Sequence, residues 1–565
     1  MEKVWLKSYP AGVAPEVDVS EFGSVAELIE KSCQRHGKRP AFSNMGATLT
    51  YADIDRLSSR FAAYLQQDSK LAKGARVAVM LPNLLQHPVA TFGILRAGLV
   101  VVNINPLCTS RELQYMLGDA GAAAIVILEN FAHVLAKIVG GTVIEHVIVT
   151  RMGDLLPFPK SVLANFMVRR IKRLVPPYQL AGAVNFVHAL NAGRRLSLNK
   201  PSLQPQDTAF LQYTGGTTGL CKGAVLSHGN MIANTLQAAM WFGTVLEEGG
   251  ESVITALPLY HIFALTANCL LFVKIGGHNY LVTNPRDMPG FVKLLRGLNF
   301  TFITGVNTLY NGLLNTPGFE RIDFSHLKLA IGGGMAVQAA VAERWQKATG
   351  VVLLEGYGLT ETAPVVCINP VDLKEFSGFI GLPVPSTEVS VCDESGIEVA
   401  LGEAGELWVR GPQVMQCYWN RPEETAIAIS ADGWFRTGDI ATIDARGFVR
   451  IVDRKKDMIL VSGFNVYPNE VEAVVAAHPG VLEVGVIGVA DDACGEAVKA
   501  VVVKKDQSLT AETLRVYCKE QLSGYKVPKF IEFRAELPKT AVGKILRRSL
   551  RDEPADTESP VAEQA

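Results

Sequence analysis

Residues 213–223 read YTGGTTGLCKG and combine glycines, threonine hydroxyls and a single lysine. The apolar run TAFLQ precedes them, so the stretch predicts a turn that leaves a β-strand. Glycines let backbone amides face an anion without a side chain in the way. The P-loop motif GxxxxGK[ST] places its lysine directly after the second glycine. Here Gly219 precedes Lys222 by three residues, which favours a phosphate-binding loop of another fold, with a flexible Gly/Thr turn as the alternative.

The composition indicates a globular, multidomain protein without a nucleic-acid partner. A chain of 565 residues is longer than one hydrophobic core usually serves. Charged residues make up 19% and the formal net charge is -1, whereas polyanion-binding proteins usually carry a basic excess. The nine cysteines form no CxxC pair, which favours a reduced, cytoplasmic compartment. The first residues, MEKVWLKSYPAG, contain no apolar run of a signal peptide.

Short β-branched runs alternate with helical patterns early in the chain. The predicted strands are 77–81, 98–104, 123–128 and 143–149, and predicted helices at 85–97 and 110–120 lie between them. Ser24 and Glu27 have capping-box spacing ahead of a helix that Gly37 closes. This order implies a largely parallel sheet covered by helices.

Two apolar segments raise the question of membrane contact. Residues 253–273 contain no charged side chain, but Pro258, His261 and Asn268 interrupt them, which favours a buried core segment over a spanning helix. Residues 160–175, KSVLANFMVRRIKRLV, predict a basic amphipathic helix. Such a helix either packs its apolar stripe on its own domain, which we favour, or lies on an anionic membrane surface.

Six further motifs follow in order along the chain. They are LPLYHIFALT at 257–266, GGGM at 332–335, GYGLTET at 356–362, DGWFRTGDI at 432–440, DRKKDMILVSGFNVYPNEVE at 453–472 and PKTAVGKILRR at 538–548. With the 213–223 loop, this set resembles the adenylate-forming superfamily, which includes acyl-CoA synthetases, luciferases and the adenylation domains of peptide synthetases. The resemblance extends from Phe22 to Arg548. Residues 432–456 and the run ITGVNTLYN at 303–311 are similar to bacterial long-chain fatty-acid–CoA ligases.

The resemblance implies an α/β fold. We expect a large N-terminal domain of βαβ-built sheets packed with helices, with a β-subdomain, at 1–455. A small mobile α+β C-terminal domain is expected at 456–550. The last residues, 551–565, are acidic and contain two prolines, which predicts a disordered tail.

The reaction implied by the resemblance joins a long-chain fatty acid to coenzyme A in two halves. The carboxylate attacks the α-phosphate of ATP and gives an acyl-adenylate and pyrophosphate. The CoA thiol then attacks the adenylate and releases AMP. The acyl-CoA would feed β-oxidation or lipid synthesis.

The resemblance also implies the residues that hold ATP and Mg²⁺. The ATP phosphates are assigned to Thr214, Gly215, Gly216, Thr217, Thr218, Gly219 and Lys222. Mg²⁺ is assigned to Thr214 and Glu361, because a site with one carboxylate suits a cation that relies on substrate phosphates. The walls around adenine and the α-phosphate are assigned to Gly332, Gly333, Gly334, Gly356, Tyr357, Gly358 and Thr360. Asp439 and Arg454 are assigned to the ribose hydroxyls.

Lys544 matches the adenylation lysine of the superfamily, an ammonium that bridges the carboxylate and the α-phosphate. The neighbouring Arg547 and Arg548 are expected to be solvated. Lys456 matches the hinge position of the family, where a few dihedral angles absorb a large rotation. That rotation would remove Lys544 from the site and bring Gly463 and Phe464 toward the CoA channel.

Several alternatives stay open at this point. His261 either lines the fatty-acid entrance or is a satisfied core residue. One rival function is an adenylating relative with an aryl or medium-chain acid, or with a carrier protein as acceptor. The other is a silent fatty-acid-binding protein. The implied partners are fatty acid, ATP and CoA, while peripheral contact with the inner face of the cytoplasmic membrane and a homodimer are left open.

Overall fold

A computed structural model describes residues 3–214, 221–491, 494–540 and 542–552. Its first strands are β1 (Pro40–Asn44), β2 (Ala47–Thr50), β3 (Arg76–Met80), β4 (Val100–Asn103), β5 (Ala124–Leu128), β6 (His146–Thr150), β7 (Val184–Asn185), β8 (Thr208–Thr214) and β9 (Lys222–Ser227). Next come β10 (Ser252–Thr255), β11 (His278–Leu281), β12 (Phe302–Gly305), β13 (Leu329–Gly333), β14 (Leu353–Gly358), β15 (Val365–Ile368), β16 (Leu382–Pro383), β17 (Glu388–Cys392), β18 (Gly405–Arg410) and β19 (Cys417–Tyr418). The last are β20 (Phe435–Ile443), β21 (Val449–Arg454), β22 (Ile459–Val461), β23 (Phe464–Val466), β24 (Val481–Asp491), β25 (Gly495–Lys504) and β26 (Phe530–Arg534).

The α-helices alternate with these strands. The first eight are α1 (Val25–His36), α2 (Tyr51–Gln67), α3 (Gln86–Arg96), α4 (Ser110–Ala120), α5 (Ala132–Ala136), α6 (Lys160–Phe166), α7 (Phe186–Gly193) and α8 (His228–Phe242). The others are α9 (Leu271–Lys274), α10 (Met288–Leu295), α11 (Asn307–Leu314), α12 (Ala339–Thr349), α13 (Pro422–Ala428), α14 (Pro468–Ala477), α15 (Ala511–Gln521) and α16 (Arg547–Asp552).

Two large sheets are parallel at their centres, as the alternation of strands and helices predicts. One has the strand order β19-β9-β8-β4-β3-β5-β6-β7, and the other has the order β16-β15-β14-β13-β12-β10-β11-β1-β2. Antiparallel pairs stand at β8–β9 in the first sheet and at β14–β15 in the second. Val77, Ala78 and Val79 on β3 are fully buried, as expected for a parallel strand with both faces covered.

Two smaller sheets complete the fold. One is the antiparallel sheet β17-β18-β20-β21, and the other has the order β23-β22-β25-β24, with β26 paired to β25. Helix α14 follows β23, and helix α15 lies between β25 and β26, so this sheet and its helices make a small α+β domain. The α/β class with a β-subdomain and a small C-terminal domain is therefore confirmed. The boundary at Lys456 falls between β21 and β22 and stays a prediction; tail residues 553–565 lie outside the described residues.

The predicted helix after Ser24 forms, but its cap differs in detail from the prediction. The Ser24 hydroxyl accepts a hydrogen bond from the Glu27 backbone N–H. The Glu27 carboxylate accepts from the Gly23 backbone N–H at 2.7 Å, one residue before the position that a capping box requires. Gly37 follows the helix with right-handed rather than left-handed backbone angles.

The preferred interpretation of residues 160–175, with the apolar stripe packed on its own domain, is wrong. Helix α6 covers Lys160–Phe166, and a π-helical turn, Met167–Ile171, continues it. The whole apolar stripe is exposed: Val162, Leu163, Phe166, Met167, Ile171 and Leu174. The opposite side of the segment packs on the protein, because Val168 is buried and Arg169 pairs with the buried Glu129 at 3.2 Å.

The apolar segment 253–273 is buried, as predicted. It contributes most of β10, then a π-helical turn at Ala264–Leu270 and most of α9. Its residues from Ala264 to Val273 are all buried. None of the helices in the described ranges is long and apolar enough to cross a membrane.

Candidate active site

One cavity of about 2160 Å³ lies where both large sheets, the antiparallel sheet and the small domain meet. Its lining includes most of the residues that the sequence motifs single out. These are Thr214, Lys222, His261, Gly334, Gly356, Tyr357, Gly358, Thr360, Glu361, Asp439, Arg454 and Lys544. Several of them follow the carboxyl ends of parallel strands, which is where α/β proteins bind ligands.

The predicted phosphate loop joins β8 to β9. Thr214 pairs with Lys222 in the register of this antiparallel hairpin. The predicted residues Gly215, Gly216, Thr217, Thr218 and Gly219 lie outside the described residues. The Lys222 ammonium lies 2.5 Å from the Glu424 carboxylate on α13 and 5.2 Å from the centre of the Tyr418 ring. An incoming phosphate group would therefore compete with Glu424 for this cation.

Asp439 and Arg454 form a polar pair on neighbouring antiparallel strands. They are direct partners in the β20–β21 register, and Arg454 Nε lies 3.4 Å from Asp439 Oδ1. The Tyr357 hydroxyl donates to Asp439 Oδ2 at 2.5 Å. Burial raises the pKa of Asp439, and the charge of Arg454 opposes that rise. A carboxylate held in this way can accept hydrogen bonds from the two hydroxyls of a ribose.

Thr360 and Glu361 lie in a 3₁₀ turn directly after β14. The Tyr418 hydroxyl donates to Glu361 Oε1 at 2.7 Å, and Met415 N–H donates to the Glu361 backbone carbonyl at 2.7 Å. Burial raises the pKa of the Glu361 carboxyl group. Tyr418 was missed by sequence reasoning, since the only signal is an aromatic CYWN run with no spacing rule attached to it.

Lys544 reaches the cavity from a loop between β26 and α16. Its backbone N–H donates to the Thr540 hydroxyl at 3.0 Å. The neighbouring Gly543 carbonyl accepts from the Thr308 hydroxyl of the large domain at 2.9 Å. A Cβ atom on Gly334, which has φ +78°, would stand 3.2 Å from Lys544 Cε. The small domain thus places one ammonium group against the wall of the large domain.

The charge of Lys544 is weakened by its surroundings. Burial, together with the nearby Arg454, lowers its pKa to about 8. Asp439 and Glu361 act in the opposite direction. A lysine ammonium near two carboxylates can stabilise negative charge as that charge moves from a carboxylate to a phosphate.

His261 lies inside the cavity wall as a neutral side chain. Burial, with a contribution from Lys544, lowers its pKa to about 3. Its Nδ1 atom accepts from the Phe263 backbone N–H at 3.3 Å. Apolar side chains line another part of the same cavity: Phe242, Ala267, Phe302, Ile331 and Val365. The cavity therefore offers both a charged end and an apolar wall.

Three predicted glycines do not line the cavity. A Cβ atom on Gly332 would stand 2.4 Å from Val337 Cγ2, and one on Gly333 would stand 2.9 Å from Phe263 Cε1. Both glycines therefore allow close packing behind the wall. Gly463 lies in the β22–β23 turn with φ +84°, and a Cβ atom added there would have no neighbouring atom within 4 Å.

Glu355 is a cavity residue that sequence reasoning missed. It stands on β14 with only 6% of its surface exposed, and its Oε1 atom accepts from Val337 N–H at 3.1 Å. Its other oxygen has no hydrogen-bond partner among the described residues. Burial raises the pKa of this carboxyl group to about 8. The one signal in the sequence is an acid that ends the apolar run VVLL, directly before GYG.

The expectation that Arg547 is solvated is wrong. Its side chain is 15% exposed and pairs with Glu472 at 2.8 Å and with Asp453 at 3.1 Å. These carboxylates raise the pKa of the guanidinium group above its ordinary value. Arg548, in contrast, is exposed. The two arginines differ because α16 turns one of them inward, which residue type alone does not predict.

Two family models match most of the chain. The family described as AMP-binding enzyme matches residues 29–419, and the AMP-binding enzyme C-terminal domain matches residues 470–544. A long-chain-fatty-acid–CoA ligase of Escherichia coli O157:H7 is 60% identical over 553 residues, which cover 98% of each chain.

Solved structures of two proteins show the same fold. An anthranilate CoA ligase, AuaEII, in complex with anthranoyl-AMP has 25% identity and a TM-score of 0.84, with 95% of this chain and 98% of that chain covered. MatB from Rhodopseudomonas palustris has 29% identity and covers 93% of this chain and 98% of its own; its TM-score is 0.80 with ATP bound and 0.70 in the apo form. The chain belongs to the AMP-binding enzyme family of the adenylate-forming superfamily.

Proposed function

We propose that this chain joins long-chain fatty acids to coenzyme A, using ATP and passing through an acyl-adenylate. The observation that carries the proposal is the meeting of Lys544 from the small domain with Glu361, Asp439 and Arg454 in one cavity that also has an apolar wall. The charged end suits a nucleotide, and the apolar wall suits an alkyl chain. The 60% identity to a long-chain-fatty-acid–CoA ligase supports the same substrate class.

In the first half-reaction, the protein holds and neutralises the reacting groups rather than forming a bond to them. Asp439 and Arg454 hold the ribose, and Tyr357 orients Asp439 through its hydroxyl hydrogen bond. Lys222 exchanges Glu424 for the outer phosphates of ATP. Lys544 lies between the fatty carboxylate and the α-phosphate and stabilises the charge that develops there. Pyrophosphate then leaves from the Lys222 side.

The residues present also fit Mg²⁺. The Glu361 carboxylate and the Thr214 hydroxyl are hard oxygen donors that line the same cavity. Mg²⁺ is usually held by one or two carboxylates and takes its remaining ligands from substrate phosphates and water. When bound, Mg²⁺ would neutralise phosphate charge. Glu361 and Thr214 would hold it, while Tyr418 fixes the Glu361 carboxylate.

The second half-reaction requires Lys544 to leave. We assign the hinge to Lys456, between β21 and β22, with the domains divided at 455/456. Rotation there would bring the β22–β23 turn, with Gly463, toward the CoA thiol. The open space around Gly463 and its positive φ suit a turn that is to approach a ligand closely. His261 would border the fatty-acid entrance.

The test is release of pyrophosphate and AMP with ATP, Mg²⁺ and a series of acids from acetate to oleate, plus benzoate, each with and without CoA. We expect sustained turnover only with long-chain acids and CoA. Turnover with benzoate would favour an aryl-acid ligase, and pyrophosphate without CoA-dependent turnover would favour another acceptor. Fatty-acid binding without any pyrophosphate would favour a silent binding protein and overturn the proposal.

We further propose that the enzyme works in the cytoplasm, at the inner face of the cytoplasmic membrane, through residues 158–174. Seven large apolar side chains of this segment are between 40% and 84% exposed: Phe158, Val162, Leu163, Phe166, Met167, Ile171 and Leu174. Arg170, Lys172 and Arg173 are exposed and form no ion pair with any residue that the structure describes. Exposed apolar groups beside unpaired cations fit the interface of an anionic bilayer.

Vesicle cosedimentation tests this membrane contact. We expect binding to phosphatidylglycerol vesicles, weaker binding to phosphatidylcholine vesicles, and loss of the difference when Arg170, Lys172 and Arg173 are changed to Glu. A matched control changes three exposed lysines on other helices, Lys293, Lys347 and Lys519, to Glu. Equal binding by both triple variants would contradict the proposal.

Sedimentation of the free enzyme then decides between a monomer and the homodimer left open by the sequence.

A further inference from the structure

Asp453 lies near the end of β21, three residues before the proposed hinge at Lys456. Its side chain is fully buried. Oδ1 accepts from the Arg454 backbone N–H at 2.7 Å and from Arg547 at 3.1 Å. Oδ2 accepts from the Asn469 backbone N–H at 2.7 Å. One carboxylate of the large domain thus holds two helices of the small domain, α14 and α16.

Arg547 uses all of its donors in the same cluster. Nε and Nη2 donate to the two oxygens of Glu472 at 3.0 and 2.8 Å. Nη2 also donates to Asn469 Oδ1 at 2.5 Å, and Nη1 donates to Asp453 at 3.1 Å and to Asp457 at 3.4 Å. A guanidinium group in a fixed, planar, fully bonded arrangement positions its helix with little freedom.

The contacts of this cluster divide at the hinge. Glu472, Asn469 and Asp457 follow Lys456 in the chain, so their bonds to Arg547 stay within the small domain when it rotates. The bonds of Asp453 to Arg547 and to Asn469 connect the two sides, so a rotation at Lys456 that carries α14 and α16 away from β21 would break them. The bonds of Arg547 to Glu472, Asn469 and Asp457 therefore persist in every arrangement of the domains. The bonds of Asp453 to the small domain exist in one arrangement alone.

The arrangement that contains these bonds is also the one in which Lys544 is in the cavity. Arg547 follows Lys544 by three residues, and the loop is closed by the Thr540 N–H donating to the Lys544 carbonyl at 2.7 Å. Fixing the start of α16 therefore fixes the root of the Lys544 side chain. Thr308, Asn311 and the Asn469 side chain add only single neutral hydrogen bonds between the domains, to Gly543, Leu482 and Val452.

We propose that Asp453 is a positioning residue for the first half-reaction: by holding Arg547 and the start of α14 across the hinge, it keeps Lys544 at the α-phosphate until adenylation is complete. The inference rests on the proposed function of Lys544. It assigns to Asp453 no contact with substrate and no part in the second half-reaction, which begins after its bonds to the small domain have been broken.

The two half-reactions of Asp453→Asn test the proposal. The asparagine side chain has the size of aspartate, and its amide oxygen can still accept hydrogen bonds from backbone N–H groups. It lacks the negative charge that holds Arg547 to the large domain. Arg547 still pairs with Glu472 and Asp457 in the variant. We expect single-turnover formation of oleoyl-adenylate to slow tenfold or more. Thioester formation from supplied oleoyl-adenylate and CoA should be unchanged or faster. Equal loss of both halves, or no loss in either, would overturn the proposal.

Asp444→Asn is the matched control, because Asp444 is a carboxylate at the β20–β21 turn that bonds only to its own turn at Arg446 and Phe448. It should leave both half-reactions unchanged.

Trypsin cleavage after Arg454, Lys455 and Lys456 gives a second readout that does not depend on activity. With ATP and Mg²⁺, wild type should be protected and Asp453→Asn cleaved faster, while equal cleavage would count against the proposal. If the wild-type enzyme is inactive in both half-reactions, the proposed function is refuted. The role of Asp453 is tested separately, by the ratio of variant to wild-type rates and by the rate of trypsin cleavage.

Discussion

At the scale of single residues, the close contact between Gly334 and the Lys544 side chain limits how the small domain can pack against the large domain. The Lys544 chain passes over a backbone position that carries no side chain, at φ +78°. A methyl group there would meet Lys544 Cε at 3.2 Å, and this contact is tight for a buried chain. The ammonium position therefore depends on a missing Cβ atom as well as on charge.

Gly334→Ala should slow adenylate formation by about tenfold to a hundredfold, because a displacement of the reacting groups by a fraction of an ångström is costly. Gly350→Ala is the matched control, because Gly350 has φ +76° but no atom within 4 Å of the added methyl group. Both variants should lose about 1–2 kcal/mol of stability from the left-handed backbone. Single-turnover rates, with thermal unfolding alongside, separate the two effects. Equal rates in the two variants would contradict the contact.

Residues of the site were predictable where a motif is contiguous and unpredictable where a partner is distant in the chain. GYGLTET, DGWFRTGDI and PKTAVGK lead directly to Glu361, Asp439 and Lys544. Nothing in the sequence joins Lys222 to Glu424, or Arg547 to Glu472, because those pairs arise only when separate elements pack together. Residue type alone also gave the wrong solvation for Arg547.

At the scale of elements, α3 shows how fully the large domain encloses its helices. Every residue of Gln86–Arg96 is buried, including His87. His87 Nδ1 lies 3.2 Å from the Leu81 carbonyl, and Nε2 has no partner among the described residues. Burial lowers its pKa to about 4, so the folded protein keeps this histidine neutral.

This burial makes stability depend on pH in a predictable direction. Because the folded pKa of His87 lies below the unfolded value, the unfolded state binds more protons as the pH falls from 6.5 toward 4, and the folded state is disfavoured by about 1.4 kcal/mol per pH unit. His87→Asn should remove that contribution and reduce the loss of unfolding free energy in this window. Denaturant unfolding of both proteins at several pH values measures it; parallel curves would contradict the assignment.

Element types and approximate bounds were predictable because apolar periodicity reports burial directly. The strands from β3 to β6 and the helices α3 and α4 lie close to the predicted ranges. The same reasoning failed for residues 160–175, where periodicity correctly indicated a helix but could not tell which side faces the protein. The contacts of Val168 and Arg169, not the apolar stripe, decide that orientation.

At the scale of the whole molecule, the described arrangement has Lys544 in the cavity and Gly463 outside its lining. That is the arrangement that the proposed role of Lys544 requires, and its TM-score is higher with ATP-bound MatB, 0.80, than with apo MatB, 0.70. Two domains were predictable from chain length and motifs. Their relative orientation was not, because it depends on a few contacts such as those of Asp453.

Lys456→Pro tests whether the domains must rotate. Proline fixes φ near -65°, so it restricts the hinge, and it also removes the Lys456 side chain from the cavity lining. Adenylate formation should be retained, while thioester formation from supplied oleoyl-adenylate should fall by about tenfold or more. Lys456→Ala removes the same side chain but leaves φ free, so it should keep both activities. Loss of thioester formation in the alanine variant would show that the side chain matters instead.

We propose that the fatty carboxylate attacks the α-phosphate of ATP. Oleate labelled with ¹⁸O in both carboxylate oxygens tests it most directly, by mass spectrometry of the products after turnover with ATP and CoA. We expect one ¹⁸O atom in AMP, the other in oleoyl-CoA, and none in pyrophosphate. Label in orthophosphate or pyrophosphate, or AMP free of label, would contradict it.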